Sequence, residues 1–386
     1  MNFQLTEDQR ALQEAARSFA QSELPDLARE MEREATPVPD TMRRRYGEMG
    51  FLGVNLPERF GGLGLGHLEA LLVLEEFAKI SVAVAWPVFE ALTGPVRTIE
   101  HFAPEALKAA IIPQVTRGEK LVAVAMSEPG AGTALTDLIT TGREDAGDIV
   151  ISGQKRWSSG AGHSNIYIVY CRLSDAPGAK GVGAVLVEKD RDGLTFGKAE
   201  ELMGFRGIPS ADIYLDEVRV PKGNIIVPAG GFGKLMSAFS LERCGNATMG
   251  LGIAAAALED ATAYVQERTQ FGKPIVDFQA VQLRLADMAM QVEAARLLIH
   301  RAAVTAQNGL PGIIESSMAK CFSNEMVRKV TSDGMQLMGG YGYSKDYPME
   351  QRVRDGFAWG IAGGTTDVQK TNIAASLVGR RFDQRR

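Results

Sequence analysis

The chain has 386 residues, 45% of them hydrophobic and 23% charged, which excludes a disordered or fibrous protein. Its 42 basic and 47 acidic residues leave a net charge of −5, a poor bulk match for nucleic acid or an anionic membrane surface. Three scattered cysteines without a CxxC pair argue for reduced thiols, and four scattered histidines suggest no metal. The first residues read as neither a signal nor a transit peptide. No apolar run approaches the ~20 residues of a bilayer span, and the expected compartment is the cytoplasm.

Residues 1–120 read as a helical domain. Thr6 is the expected N-cap of the first helix, and Leu12, Ala15, Ala16, Phe19 and Ala20 recur at amphipathic spacing. Residues 121–225 change period: LVAVAM, DIVISG, NIYIVYC, VGAVLVEK and ADIYLDEVRV are short, β-branched and bounded by turn formers. They predict an all-β domain, a barrel or a sandwich. Residues 226–386 return to helix. Leu285, Met288, Val292, Ala295 and Leu298 mark one stripe, and Met318, Cys321, Met326, Val330 and Met335 another, as in an up-and-down bundle. The methionines read as core.

Five segments carry chemistry. Val124 to Thr133 runs from a strand into a loop of small residues (Ser127, Gly130, Gly132), where backbone amides can approach a flat polar ring or an anion; the plain alternative is a β-turn. Trp157, Ser158 and Ser159 set an indole beside two hydroxyls, suited to cover a flat cofactor and bond its edge, or else a core tryptophan at a strand end. Arg268, followed by Thr269-Gln270-Phe271-Gly272 and later Gln279, sits at a helix junction and suits a pyrophosphate, or else a solvated charge. Gln336-Leu337-Met338-Gly339-Gly340 and Gly363-Gly364-Thr365-Thr366-Asp367 complete the set.

In this order, together with Leu56–Gly62 and Gly204–Gly207, these segments resemble the acyl-CoA dehydrogenase family of flavoproteins over nearly the whole chain. The resemblance implies an α+β architecture: an N-terminal helical domain, a central β-barrel and a C-terminal four-helix bundle. It implies FAD bound by Val124, Met126, Ser127, Gly132, Thr133, Trp157, Ser158, Ser159 and Thr365–Asp367. Arg268, Gln270, Phe271, Gln279 and Gln336–Gly340 would reach the pyrophosphate and adenosine from a neighbouring subunit. Thr133, Ser240, Arg243, Gly363 and Gly364 would line the substrate site. An acyl-CoA substrate, an electron-transfer flavoprotein as acceptor and a dimer-of-dimers assembly follow from the same likeness, with no metal.

The chain departs from the family at one decisive point. Most relatives carry a glutamate base immediately before the Gly-Thr of the last segment; here that residue is Gly363, which cannot take a proton. Some relatives place the base in an earlier Leu-Glu-Arg, here Leu241-Glu242-Arg243, so Glu242 is the candidate base. Its plain alternative is a helix carboxylate paired with Arg243 or another cation. Gly363 keeps a backbone N–H for the thioester oxygen, and with Gly360, Ala362 and Gly364 it predicts added room, hence a branched, cyclic or otherwise bulky acyl group. Ala134 stands where relatives usually carry an acid. The first expectation is α,β-dehydrogenation of an acyl-CoA with hydride transfer to flavin N5. The second keeps the fold but changes the chemistry: acyl-CoA desulfination, enoyl-CoA reduction or dehydrogenation of a carrier-protein-bound acyl group. A third is a non-catalytic partner subunit.

Overall fold

The computed structural model describes residues 3–306 and 309–382. The chain opens with α1 (Glu7–Glu23), α2 (Pro25–Glu34), α3 (Asp40–Glu48), α4 (His67–Ile80), α5 (Val82–Leu92), α6 (Pro95–Phe102) and α7 (Glu105–Thr116). Thr6 caps α1: its hydroxyl accepts from the Gln9 amide at 3.2 Å while the Gln9 side chain accepts from the Thr6 amide. Of the predicted stripe, Ala16, Phe19 and Ala20 are buried, Phe19 among Tyr46, Phe51 and Phe77, whereas Ala15 is exposed. Helix α5 is apolar at every position but Glu90 and runs through the interior.

Strands β1 (Val122–Ala125), β2 (Thr141–Asp145), β3 (Asp148–Ser159), β4 (Ile166–Arg172), β5 (Val182–Glu188), β6 (Leu194–Phe196), β7 (Ser210–Pro221) and β8 (Ile225–Val227) form one mixed sheet. Its order is β6-β7-β3-β2-β4-β5-β8, with β1 parallel to β4. The five predicted strands are all present. Strand β2 is too polar, and β6 and β8 too short, for alternation to reveal them. Along β4, Ile166, Ile168 and Tyr170 join the core shared with the helices, while Tyr167, Val169 and Cys171 enter a second core. That second core draws on β1 and on β3 to β7 but on no helix, so the sheet encloses its own apolar interior, as the expected barrel does.

The remainder comprises α8 (Phe232–Glu267), a hairpin of β9 (Thr269–Gln270) and β10 (Lys273–Pro274), α9 (Gln279–Val304), α10 (Ile313–Met338), α11 (Gly340–Tyr343), α12 (Met349–Ala358) and α13 (Thr366–Val378). Helices α8, α9 and α10 pack on one another, α13 lies along α10, and α4 covers α8 from the N-terminal region. Cys321, Met326 and Val330 of α10 and Met288, Val292 and Ala295 of α9 are buried, whereas Leu285, Leu298, Met318 and Met335 of the same stripes are half-buried. Gly245 lets α5 close onto α8: a Cβ there would overlap the Thr93 side chain and come 2.9 Å from Phe89 Cε2. Among the described residues, no helix is long and apolar enough to cross a membrane.

Candidate active site

The first two segments meet on the sheet. Glu128 and Ala131 exchange backbone hydrogen bonds at 3.0 and 3.1 Å, so the loop is a tight β-turn. It is also open: nothing lies within 4 Å of where Gly130 or Gly132 would carry a Cβ. The turn is anchored by Glu128, whose carboxylate accepts from the Ile139 and Thr140 amides at 2.6 and 3.0 Å and from Lys155 Nζ at 2.7 Å. Burial alone would raise this acid; the Lys155 charge and these hydrogen bonds more than reverse it and leave it below the ordinary carboxylate range. Glu128 thus anchors a loop in which Ala134 offers no acid. Lys155 also reaches the Met126 carbonyl at 3.2 Å, and the Arg156 amide donates to the Ser127 carbonyl at 2.9 Å.

Trp157 contradicts the core-tryptophan alternative. It is 55% exposed and holds φ +58 within a β3 bulge. A bulky residue in left-handed backbone, with an exposed indole whose one close cationic neighbour among the described residues is the Arg156 guanidinium 4.4 Å from the ring centroid, is strain that core packing does not explain. Beside it, Ser158 Oγ is buried without a hydrogen-bond partner, while Ser159 is half-buried.

The third and fourth segments meet at the far end of α8. The Arg268 guanidinium lies 5.8 Å from the Tyr341 ring centroid, so the 268–279 junction and the 336–340 turn share one surface. Phe271 (φ +52) and Gly272 (φ +79) form the two-residue turn between β9 and β10, and Phe271 is 93% exposed. Arg268, Gln270, Gln279, Gln336, Gly339 and Gly340 are exposed, Leu337 is half-buried, and the Met338 side chain is core, leaving only its backbone for a ligand. Residues 242 and 267 of α8 stand about 38 Å apart along the helix. Within one chain, this surface is therefore remote from Glu242.

The fifth segment meets Glu242. From Ala238 to Ala257 every residue of α8 is buried except Glu242, which is half-buried. Its carboxylate makes no hydrogen bond or ion pair among the described residues; Arg243 Nη1 instead donates to Ser240 Oγ at 3.2 Å, with the guanidinium 5.6 Å from the Phe239 ring centroid. The paired-carboxylate alternative is not what the structure shows. Burial pushes the Glu242 acid up to about 8, and the charges of Lys320 and Arg243 pull it back only in part.

Position 363 reverses one expectation. Gly363 holds φ +64, and a Cβ there would come 2.6 Å from Asn246 Nδ2. Asn246, one turn after Glu242, donates to the Glu242 carbonyl at 3.0 Å. The place of the missing side chain is therefore filled, not open. Cβ atoms at Gly360 and Gly364 would likewise run into Arg328 and Gln369. At these three glycines the space of the missing side chains is taken by Asn246, Arg328 and Gln369. The amides of Gly363, Gly364 and Thr365 donate to no group among the described residues, and they lead into α13, where the Thr365 hydroxyl accepts from the Val368 amide at 3.3 Å. Thr366 is buried, and Asp367 is exposed in the first helical turn.

Three residues of this site escape sequence reasoning: Lys320, Asn246 and Glu90. Lys320 is fully buried and donates to the Ala362 carbonyl at 2.7 Å and to the Trp359 carbonyl and Asn324 Oδ1 at 3.2 Å, which pins the loop carrying Gly363 onto α10. Burial, and then the Arg243 charge, lower its ammonium to about 7 against the opposing pull of Glu242. Glu90 faces Glu242 from α5 and is held well above the carboxylate range by burial and by that second acid. The available signal was a single charge inside an otherwise apolar run, as in Val82–Leu92.

Family models describe this architecture along the chain: the acyl-CoA dehydrogenase N-terminal domain matches residues 6–119, the middle domain 123–218 and the C-terminal domain 229–378. The chain belongs to the acyl-CoA dehydrogenase family, and with it to the FAD-dependent oxidoreductases acting on CH–CH bonds. It is 36% identical to the 3-sulfinopropanoyl-CoA desulfinase of Variovorax paradoxus, over 100% of this chain and 98% of that one. It is 36% identical to the acryloyl-CoA reductase (NADH) of Anaerotignum propionicum, over 98% and 97%. The structure of butyryl-CoA dehydrogenase from Megasphaera elsdenii superposes with a TM-score of 0.94 at 32% identity, covering 98% of this chain and 100% of that one.

The residues present fit FAD. The orphaned Ser158 hydroxyl, the exposed Trp157 ring and the open Gly130–Gly132 turn provide a donor, a flat apolar cover and free backbone for a flavin edge. The exposed Arg268 provides a cation for a pyrophosphate.

Proposed function

We propose that this protein oxidises the Cα–Cβ bond of an acyl-CoA thioester, with Glu242 as the base. The observation that carries the reading is the placement of Glu242: the one incompletely buried residue from Ala238 to Ala257 of α8, without an ionic partner among the described residues, one turn from the residue that fills the space beside Gly363. Bound FAD supplies the acceptor for the electron pair that leaves Cβ. The thioester oxygen, where charge grows as the α-proton departs, takes a hydrogen bond from the free Gly363 amide. Lys320 holds that amide in place through the Ala362 carbonyl. A carboxyl raised to about 8 is a strong base once ionised and is matched to a weak carbon acid. In the free enzyme kcat/KM then rises as pH climbs through about 8, because only the ionised form accepts the proton.

Two chains complete each cofactor site in this reading: Trp157 and Ser158 of one protomer hold the flavin, and Arg268, Phe271 and Gln336–Gly340 of another hold its pyrophosphate and adenosine. The 38 Å run of α8 supports this division. So does a stripe of exposed apolar residues on α9, Leu283, Met290, Leu297 and Val304, which recurs every seven residues and needs a cover in a dimer of dimers. Electrons leave through an electron-transfer flavoprotein.

A second reading, a changed reaction on the same thioester, draws on Gly363 and on the relatives named desulfinase and reductase. Anaerobic flavin bleaching by a panel of acyl-CoAs separates the two. Bleaching that disappears in Glu242→Gln with FAD retained supports oxidation; turnover that survives the substitution assigns the second.

A further inference from the structure

Helix α5 buries an acid that no group among the described residues satisfies. Glu90 is 4% exposed; its Oε2 is sealed from solvent, and its carboxyl makes no hydrogen bond or ion pair among the described residues. The close approach of α5 to α8 at Gly245 sets its surroundings. Glu242 lies one turn before Gly245 on the same helix face, so it looks across at the turn of α5 that carries Phe89 and Glu90. Gly94, one turn after Glu90, is bare where a Cβ would stand 3.2 Å from Glu90 Oε2. The carboxyl therefore rests beside backbone without a side chain, and among the described residues Glu242 is the charge that acts on it.

A buried carboxyl without a partner costs stability, so it does not serve the fold. We propose that Glu90 determines acyl specificity: with Glu242 it selects acyl chains that carry a hydroxyl beyond the reacting carbons and excludes chains ending in a carboxylate or sulfinate. The proposal deepens the function given above and rests on Glu242 lining the acyl site. A hydroxyl both donates and accepts, so it can satisfy a neutral Glu90 and the facing Glu242 together. An anionic end finds two acids, and the nearby cations are already engaged, Lys320 on the Ala362 and Trp359 carbonyls and Arg243 on Ser240.

Calorimetry on the FAD-loaded enzyme tests this with thioethers of CoA, which lack an acidic α-proton: S-butyl, S-(4-hydroxybutyl) and S-(3-carboxypropyl). The hydroxybutyl form is expected to bind about tenfold tighter than butyl, and the carboxypropyl form at least about a hundredfold weaker. Glu90→Leu should abolish the hydroxyl preference, whereas Glu90→Gln, which keeps a donor and an acceptor, should retain it. A wild type that binds the carboxypropyl form as tightly as butyl, or a Glu90→Leu enzyme with wild-type ratios, overturns the proposal. These dissociation constants do not depend on turnover. A Glu242→Gln enzyme that still turns over while Glu90 still sorts the thioethers would fault the base and spare the specificity.

Discussion

Two stretches of α8 behave oppositely. Its middle, Ala238–Ala257, is buried except at Glu242, whereas its C-terminal end exposes Glu267 and Arg268 and leads into the exposed Phe271. On the proposed reading, one chain encloses the site for the reacting carbons. The residues proposed to bind the nucleotide lie instead on an exposed surface, as a site shared with another protomer requires. Chemistry that depends on a shifted acid needs a dry enclosure supplied by one core; a long cofactor can be gripped from two sides, which ties holoenzyme formation to assembly.

Substitutions can sharpen or break this contrast. Returning the family glutamate, Gly363→Glu, forces a side chain onto left-handed backbone and into Asn246. It should destabilise the protein by about 2–5 kcal/mol in chemical denaturation; a fully stable, active variant would show the inner site to be roomier than described. At the C-terminal end of α8, Arg268→Ala should weaken FAD retention by about tenfold or more, read by flavin release on dilution. Mixing its subunits with those of Ser158→Ala should restore partial flavin loading, because some shared sites then receive both intact halves. No restoration would place both residues in one chain's site. Leu283→Asp with Leu297→Asp should split the assembly on a sizing column and, because two chains complete each cofactor site in this account, lower FAD retention with it, although neither substitution touches Glu242.

The smallest effect concerns Asp355, whose carboxylate accepts from the Phe205 amide at 2.7 Å. Burial raises this acid to about 7, against the opposing Phe205 hydrogen bond. Between the ordinary carboxylate range and pH 7, the unfolded chain is ionised here and the folded one is not, so stability falls as pH rises through that window. Asp355→Asn should flatten the fall by up to about 1.4 kcal/mol per pH unit, measured as midpoints of denaturation from pH 5 to 7.

Much of this was legible from local pattern. The Thr6 cap, the alternation along β4 and the small-residue turn at Gly130–Gly132 are written in neighbouring residues, and the ordered loops carried the family likeness. What escaped depends on contacts between distant segments. Gly363 suggested space, but the residue that fills it, Asn246, comes from α8. Lys320 lies beside the Met318–Cys321 stripe and was not singled out, yet it is fully buried and its ammonium holds the loop that carries Gly363. Glu90 gains meaning only when Gly245 lets two helices touch. Arg268 was legible as a charge at a junction, but its approach to Tyr341 joins segments far apart in the sequence.

The central claim is that Glu242 removes the α-proton from an acyl thioester. Anaerobic stopped-flow bleaching of the bound flavin, compared between wild type and Glu242→Gln at equal FAD content, addresses it most directly. The account predicts a rate that rises through about pH 8 in the wild type and falls by about a hundred- to ten-thousandfold in the variant. A Glu242→Gln enzyme that bleaches at the wild-type rate would contradict it.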